Sequence, residues 1–328
     1  MKKALTLFTV LITVFLFQFC TKSDDTSSPL IDDYGLTLPT IALNYLVTYP
    51  AHISNDLILN DNTPSDNAIT NNGATLGRVL FYDKQLSKNN SVSCASCHKQ
   101  TNSFEDDIAL SEGFNGEFTN RKSMALLNIR FYKSGKMFWD ERSSTLEKQT
   151  LQPIQNHIEM GLTLAELETK VKAMPYYAPL FNKAFGSSII DSVKIAKALS
   201  QFVRSIVTYQ SKYDKVKQGL ATFTTAEAAG EQFFLNAGNT TCAACHTPPM
   251  FLTSSPAAGF GLIDANDTGI NGSRRFKSTS LRNISIRTNL FHNGSVANVQ
   301  SMLQSGATGN GIAQHSLTPQ NNLNMSAF

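Results

Sequence analysis

The stretches Cys94-Ala-Ser-Cys97-His98 and Cys242-Ala-Ala-Cys245-His246 hold every cysteine of the chain except Cys20. Each has the spacing C-x-x-C-H, which is the attachment signal of c-type haem. The two thiols add to the vinyl groups on one edge of the porphyrin, and the neighbouring histidine becomes an axial ligand of the iron. Among the alternatives, a redox pair or a disulfide does not need that histidine, and zinc sites place their ligand pairs closer together. The sequence therefore predicts two covalently bound haem c groups, with His98 and His246 as iron ligands.

The chain is long enough for two domains, and its charges nearly balance. Its 328 residues allow two compact domains with cores of their own. The formal net charge of +3 includes Lys2 and Lys3 at the N-terminus, so the rest of the chain has a net charge of about +1. Because there is no basic excess, the sequence indicates neither a nucleic-acid partner nor a polybasic membrane patch.

Residues 1–20 are typical of a secretory signal peptide. A short basic start precedes an apolar run from Ala4 to Phe19, which is too short for a comfortable membrane span. The run ends at Cys20, which resembles the lipid-modified cysteine of bacterial lipoproteins, although Phe19 is larger than the small residue usual before it. A lipid anchor at Cys20 and an ordinary signal peptide both stay open. Residues 21–40 are polar and indicate a flexible tether, and export places the protein in the periplasm.

The globular part of the chain contains the same pattern twice. Three pairs of segments match in the same order around the two haem motifs: residues 77–81 with 230–234, 122–129 with 277–284, and 137–142 with 290–295. Helical spacing of apolar residues occurs at 164–174 and 193–213, and convincing strand patterns are few. The sequence therefore predicts a mainly α fold with two tandem cytochrome c-like haem domains and long loops. The domain ranges are 41–215 and 216–328.

The order of these motifs resembles the bacterial di-haem cytochrome c peroxidase family, from about residue 74 to the end of the chain. The family's Phe-Trp-Asp-Gly-Arg is present as residues 138–142, with Glu141 in place of the glycine. Trp139, Gln149 and Glu159 follow at the family's intervals of ten residues. Residues 291–294 resemble the family's Phe-His-Asp-Gly. The resemblance implies two cytochrome c-like domains whose haems face each other across the domain interface.

The resemblance also assigns roles to residues at the predicted peroxide site, which is the haem held by His98. Glu159 would move a proton between the peroxide oxygens, and Gln149 would orient Glu159 by a hydrogen bond. Burial beside the haem would raise the pKa of Glu159 into the useful range. Trp139, the only tryptophan, is predicted to be a core anchor, a bridge for electrons between the haems, or both.

On the side of each iron opposite the motif's histidine, the sequence departs from the family's usual ligands. Many family members have a second histidine after the first haem motif, and Phe114 occupies its position here, which implies a permanently open iron. At the second haem, the usual ligand position is Gly306, and Met302 is the predicted sixth ligand because it lies one helical turn earlier. His315 and Met325 are the rival ligands.

The remaining histidines and the family's calcium site receive simpler interpretations. His52 and His157 are predicted to be surface residues, and His292 is predicted to be structural or close to a haem propionate. The positions expected to bind calcium in the family are Lys122 and Arg287, so calcium is doubtful.

The sequence therefore predicts a di-haem peroxidase that converts hydrogen peroxide, two electrons and two protons into two waters. A small cytochrome c or a cupredoxin would supply the electrons. One alternative is a di-haem oxidase of a protein side chain, as in the methylamine-utilisation relatives, and another is a di-haem electron carrier without a substrate. A homodimer stays open. The chain stops at Phe328, where family members continue into a C-terminal helix and tail, so either the protein is short or the sequence is a fragment.

Overall fold

Short helices joined by long irregular segments form most of the molecule. The structure is a computed structural model that describes residues 30–31, 37–38, 43–236, 242–252, 266–304 and 319–328. The predicted signal peptide, with Cys20, lies outside these residues, as does most of the predicted tether. Two short strands, β1 (Leu30–Ile31) and β2 (Thr37–Leu38), pair antiparallel within the first contact unit, Met1–Ile41. All the helices described below belong to the second unit, Ala42–Phe328.

The helices confirm that the fold is mainly α. In chain order they are α1 (Ala51–Asn60), α2 (Asn71–Tyr82), α3 (Cys94–Cys97), α4 (Leu146–Thr150), α5 (Gln152–Gln155), α6 (Leu164–Ala173), α7 (Tyr177–Phe185), α8 (Ser192–Ser205), α9 (Lys212–Lys217), α10 (Thr225–Asn236), α11 (Cys242–Cys245), α12 (Val299–Gln304) and α13 (Pro319–Ala327). Within the described ranges, none of them is long and apolar enough to cross a bilayer.

Helices α2 and α8 form the packing centre of the N-terminal part. Two glycines of α2 allow the close approach: a Cβ added at Gly77 would lie 1.9 Å from the carbonyl oxygen of Ala198, and one at Gly73 would lie 2.0 Å from Gln201 Oε1. Larger side chains on the same faces are buried: Leu76, Leu80 and Phe81 of α2, and Ile195, Leu199, Phe202 and Val203 of α8. The apolar spacing of α8 therefore faces the core, as the sequence predicts.

The prediction of one helix over residues 193–213 is wrong in its second half, because α8 ends at Ser205. Beyond it the backbone bonds to a distant loop: Ile206 O accepts from Asn128 N at 3.0 Å, and Thr208 N donates to Asn128 Oδ1 at 3.0 Å. A new helix, α9, then begins after Ser211, whose side chain caps it. The predicted helix at 164–174 agrees with α6.

The internal repeat is visible in the backbone conformation. Asn128 and Asn283 have left-handed φ angles of 62° and 58°, and Phe138 and Phe291 have 70° and 74°. The repeats also exchange hydrogen bonds at equivalent positions. Lys122 N donates to His292 O at 2.8 Å, and Lys277 N donates to Trp139 O at 2.9 Å. The two repeats therefore contact each other around residues 139 and 292, while the predicted division into domains 41–215 and 216–328 stays a prediction.

Candidate functional site

The first C-x-x-C-H motif forms a one-turn helix, and a backbone carbonyl group fixes the orientation of its histidine ring. Helix α3 contains Cys94 and Cys97, and a capping box formed by Ser93 and Ser96 fixes its start. His98 Nδ1 lies 2.9 Å from the carbonyl oxygen of Phe104. Because a carbonyl can only accept, Nδ1 carries the hydrogen and Nε2 keeps its lone pair for a metal. Burial lowers the pKa of His98, which favours the neutral ring that a metal ligand must be.

The second motif repeats this arrangement. Cys242 and Cys245 lie on α11, and His246 Nδ1 lies 3.1 Å from Thr279 O and 3.3 Å from Phe251 O. The Nε2 atom of His246 is therefore also left to bind a metal. Two pairs of free thiols, each next to an oriented imidazole, fit two covalently attached haems.

The thiols of the first motif do not fit a catalytic redox pair. Burial raises the pKa of Cys94 to about 12 and that of Cys97 to about 11, whereas a catalytic redox pair needs a lowered thiol pKa. Within the described residues, no three His, Cys, Asp or Glu side chains converge as a zinc site requires.

Glu159 lies in a tight turn beside the first motif. Asn156 Oδ1 accepts hydrogen bonds from the backbone N–H groups of Ile158 at 2.8 Å and Glu159 at 3.2 Å, which holds the turn. Burial raises the pKa of the Glu159 carboxyl, and the charge of Arg142 opposes this in part. The Glu159 charge in turn contributes to the raised pKa of Cys94 and Cys97, so the carboxylate lies close to the haem-attachment thiols.

Gln149 lies half-buried on α4. An ion pair holds this helix against α8, since the buried Arg204 donates two hydrogen bonds to the half-buried Glu147. Within the described residues, the side chains of Gln149 and Glu159 form no hydrogen bond with each other. The orienting role of Gln149 therefore stays a prediction.

Trp139 lies at the contact between the two repeats. Its indole Nε1 donates to Lys122 O at 2.8 Å, and its ring centre lies 6.4 Å from that of His292. His292 is 3 % exposed and stacks on Phe276 at 3.7 Å. Residues 139 and 292 are equivalent in the internal repeat, so one aromatic ring from each repeat meets the other here.

Known proteins are similar to this chain in sequence. The family model described as di-haem cytochrome c peroxidase matches residues 71–222. The methylamine utilization protein MauG of Methylorubrum extorquens (strain AM1) is 32% identical over 251 residues, which cover 73% of this chain and 70% of that protein. The chain belongs to the di-haem cytochrome c peroxidase family. The cytochrome c551 peroxidase of Nitrosomonas europaea, another relative, is 32% identical over 246 residues, covering 70% of this chain and 71% of that protein.

Solved structures agree with this assignment. A MauG-like protein associated with microbial copper homeostasis has a TM-score of 0.72 and 28% identity, covering 88% of this chain and 94% of its own. The di-haem peroxidase BthA of Burkholderia thailandensis has a TM-score of 0.66 at 21% identity, covering 80% of this chain and 86% of its own, and so supports the fold alone. Members of the family bind two c-type haems, and the two C-x-x-C-H motifs are the predicted attachment sites in this chain.

Phe114, at the position of the family's extra histidine, lies in a loop joined to the Glu159 turn. Phe114 N donates to Glu159 O at 3.1 Å, and its ring lies so close to Gly161 that a Cβ there would be 2.5 Å from Phe114 Cε1. A cavity of about 430 Å³ opens beside this loop. Val92, Ser96, Lys99, Glu112 and Phe114 are among the residues that line it. The open iron predicted from Phe114 stays a prediction.

Met302, the predicted sixth ligand of the second haem, is buried on α12. Its rival Met325 is half-buried on α13, which packs against α12. The other rival, His315, lies outside the described residues, as does residue 306. The ligand assignment therefore stays a prediction.

The residues at the family's calcium positions do not fit a calcium ion. Lys122 Nζ donates to the carbonyl oxygens of Asp106 and Ile108. Arg287 Nε donates to Glu105 Oε2 at 2.9 Å, and all of these side chains except that of Ile108 are buried. Two cations of the chain already bond to the oxygens that a metal would need, so no step is assigned to calcium.

His52 corrects an expectation from the sequence, whereas His157 is exposed as predicted. The sequence predicts a surface residue at position 52, but His52 is half-buried and its Nε2 lies 3.0 Å from Oδ1 of the fully buried Asp214. The reason is tertiary: α1 packs near α9, which lies far along the chain and carries Asp214.

Sequence reasoning also missed Tyr132 and Lys277. Both are buried, and Lys277 Nζ lies 3.7 Å from the centre of the Tyr132 ring. The internal repeat gave one indication of this site in the sequence, because Lys277 is the equivalent of Lys122.

Proposed function

We propose that the protein is a peroxidase that reduces hydrogen peroxide to water at the haem held by His98. Glu159 carries this proposal, because this half-buried carboxylate with a raised pKa lies in a turn bonded to Phe114, which lines the same cavity as Ser96 of the first haem motif. The bound haem supplies an iron that takes up peroxide and passes electrons to it. Cleavage of the O–O bond also needs a group that removes a proton from one oxygen and delivers it to the other, and Glu159 is the residue placed to do so.

The raised pKa of Glu159 suits both halves of this task. A carboxyl with an ordinary pKa would hold a proton too weakly to deliver it near neutral pH, and burial shifts Glu159 toward its protonated form. The Asn156 turn and the Phe114 hydrogen bond fix its backbone. Gln149, on the rigidly held α4, is the residue assigned to orient it once the haem is bound.

Electrons are proposed to enter at the haem held by His246 and to pass through Trp139. The indole is buried, held by one hydrogen bond to Lys122 O, and in contact with the equivalent ring of the other repeat. A small cytochrome c or cupredoxin is the proposed donor. We place the protein in the periplasm, where members of the family are found, with a lipid anchor at Cys20 as one route of attachment.

A second candidate is the oxidation of a side chain on another protein. It is favoured by the 32% identity to MauG, which equals that to the cytochrome c551 peroxidase. A di-haem electron carrier is the third candidate, and it would not need a carboxylate with a raised pKa beside an iron.

Stopped-flow spectroscopy of the haem-loaded protein with peroxide and a reduced cytochrome c tests the proposal. Glu159→Gln should keep both haems but lower turnover by roughly 10²–10⁴-fold, the usual contribution of a positioned acid/base. Glu112→Gln is the matched control, since Glu112 is an exposed carboxylate on the neighbouring cavity wall. Trp139→Phe should spare the reaction of the oxidised protein with peroxide and slow electron transfer between the haems. If Glu159→Gln turns over like Glu112→Gln, the peroxidase proposal fails and the carrier becomes the better reading.

A further inference from the structure

Glu141 adopts a backbone conformation that favours glycine. Its φ angle is +58°, in the left-handed region, and the equivalent residue of the second repeat is Gly294, with φ at +66°. A non-glycine residue adopts this conformation at a free-energy cost. The first repeat therefore has a carboxylate at a position where the backbone favours glycine. Because this conformation costs free energy, we expect the side chain of Glu141 to have a function.

The carboxylate of Glu141 accepts a short hydrogen bond from the hydroxyl of Tyr132. Tyr132 is 3 % exposed. Burial, and then the hydrogen bond to Glu141, raise the pKa of Tyr132, so the phenol keeps its proton in the resting protein. A buried phenol with a carboxylate on its oxygen has a ready acceptor for that proton.

Lys277 covers the ring of Tyr132. Its Nζ lies 3.7 Å from the ring centre and donates to the carbonyl oxygen of Lys136. Burial lowers the pKa of Lys277 to about 7, against the opposing charges of Glu141 and Asp140. When Lys277 is protonated, its charge over the ring makes removal of an electron from Tyr132 harder.

Tyr132 lies between the segment that contains Trp139 and the second haem motif. On one side, Glu141 is two residues from Trp139, whose carbonyl oxygen accepts from Lys277 N at 2.9 Å. On the other side, Tyr132 packs in a cluster with Met250 and Leu252. These residues flank Phe251, whose carbonyl oxygen contacts His246 Nδ1.

We propose that Tyr132 and Glu141 form a proton-coupled redox site that serves the haem pair. One electron leaves Tyr132 by way of Trp139 and reduces the peroxide-oxidised haem by one equivalent. The O–H bond of Tyr132 breaks, and its proton forms a new O–H bond on Glu141. An electron from the donor later reduces the tyrosyl radical, and the proton returns. This inference rests on the proposed function, which supplies peroxide as the oxidant.

Freeze-quench EPR of the haem-loaded protein, mixed with peroxide in the absence of donor, tests the proposal. Ring-deuterated tyrosine identifies a tyrosyl signal by its narrowing. Tyr132→Phe should reduce that signal at least tenfold, and Glu141→Gln, which keeps a hydrogen-bond acceptor but a poor base, should slow its formation about 10²-fold. Glu141→Gly should slow formation of the tyrosyl signal to the same extent, and glycine suits the left-handed backbone at this position. This variant therefore tests the proposal even if Tyr132→Phe does not fold.

Tyr177→Phe is the matched control. Tyr177 is also fully buried and donates to a carboxylate, Asp83 Oδ2 at 2.6 Å, but it lies on α7 against Phe181. Its replacement should leave the signal unchanged. A tyrosyl signal that survives in both Tyr132→Phe and Glu141→Gly, or that is lost in Tyr177→Phe alone, overturns the assignment.

A second oxidant separates this inference from the proposed function. Hexachloroiridate(IV) removes electrons without peroxide chemistry, and it should give the same Tyr132-dependent signal. If peroxide leaves the haem spectrum unchanged while hexachloroiridate produces the signal, the peroxidase proposal fails and the redox site stands. If both oxidants change the haem spectrum and neither produces the signal, the redox site fails and the peroxidase proposal stands.

Discussion

Replacing Asp214 with asparagine would break the buried charge network that joins α9 to the second repeat. Asp214 is fully buried, and its carboxylate accepts hydrogen bonds from Arg282 at 2.6 and 2.8 Å and contacts His52 Nε2 at 3.0 Å. Arg282 is itself only 6 % exposed. The substitution keeps the shape of the side chain but removes the charge that balances the guanidinium.

The expected cost is large because a buried charge loses its partner. Breaking such a pair from one side costs about 3–5 kcal/mol, and the free energy of unfolding of Asp214→Asn should fall by that amount. Urea titration of the haem-loaded protein, followed by circular dichroism, measures it. Asp66→Asn is the matched control, since Asp66 pairs with Lys197 at 2.8 Å on the surface, where solvent screens the pair and its contribution to stability is small. Equal losses in the two variants would refute the reasoning.

The same network predicts a pH dependence with a definite sign. Burial alone would raise the pKa of Asp214, but hydrogen bonds from Arg282 and His52 hold it well below its usual range. A carboxyl with a lowered folded-state pKa adds stability above its unfolded pKa of about 3.9 and loses it as the pH falls. The parent should therefore exceed Asp214→Asn by a constant free energy of unfolding between about pH 5 and 8, and the gap should narrow below about pH 4. A gap that widens on acidification would contradict this.

The Asp214→Asn substitution should also change the reduction potential of the second haem. Arg282 also donates to the carbonyl oxygen of Pro249, at 3.1 Å from Nε and 2.7 Å from Nη2, and Ser280 Oγ donates to that of Met250 at 2.6 Å. The adjoining residues, Phe251 and Thr279, provide the carbonyl oxygens that orient His246. Asp214→Asn should therefore shift the reduction potential of the second haem and leave that of the first unchanged, as measured by spectroelectrochemistry.

Three further predictions concern the haems and the core. The mature protein should have the mass of the polypeptide plus two haems, and acid acetone should extract neither, because each motif forms two thioether bonds; the mass of a single haem would count against this. The fully oxidised protein should show a high-spin haem and react with peroxide without a lag, because Phe114 replaces the extra histidine; activity only after reductive preincubation would point to another capping ligand. Gly77→Ala should destabilise the fold by about 1–3 kcal/mol or more in thermal unfolding, since its Cβ would lie 1.9 Å from Ala198 O, and an unchanged melting temperature would show that α2 and α8 can separate.

The sequence was informative wherever a function depends on contiguous residues. Haem attachment needs two cysteines and a histidine within five residues, so both sites could be predicted without a structure. The internal repeat was visible in matched segments, and the left-handed conformations at Asn128 and Asn283 later appeared at equivalent positions. Glu159 could be named from its spacing to Trp139 and Gln149, but its burial and raised pKa could not.

Predictions failed where contacts between distant residues override local pattern. The apolar spacing of residues 193–213 continues past Ser205, yet the helix ends there because Asn128 takes up the hydrogen bonds of Ile206 and Thr208. His52 has polar neighbours in the sequence, yet it contacts Asp214. Hydrogen bonds between residues so distant in the sequence produce no periodic pattern from which they could be predicted.

By itself, the sequence determined that this protein carries two covalent haems on a duplicated, mainly helical scaffold. Covalent chemistry fixes the spacing of its ligands along the chain, and a duplication preserves the order of its segments. Only the tertiary structure decided what surrounds these groups. Tyr132, Glu141 and Lys277 form one cluster although Lys277 lies far from the other two in sequence, and the Trp139 ring lies beside that of His292 at the contact between repeats. Burial and long-range contact set pKa values and electron routes, and both arise only when the chain is folded.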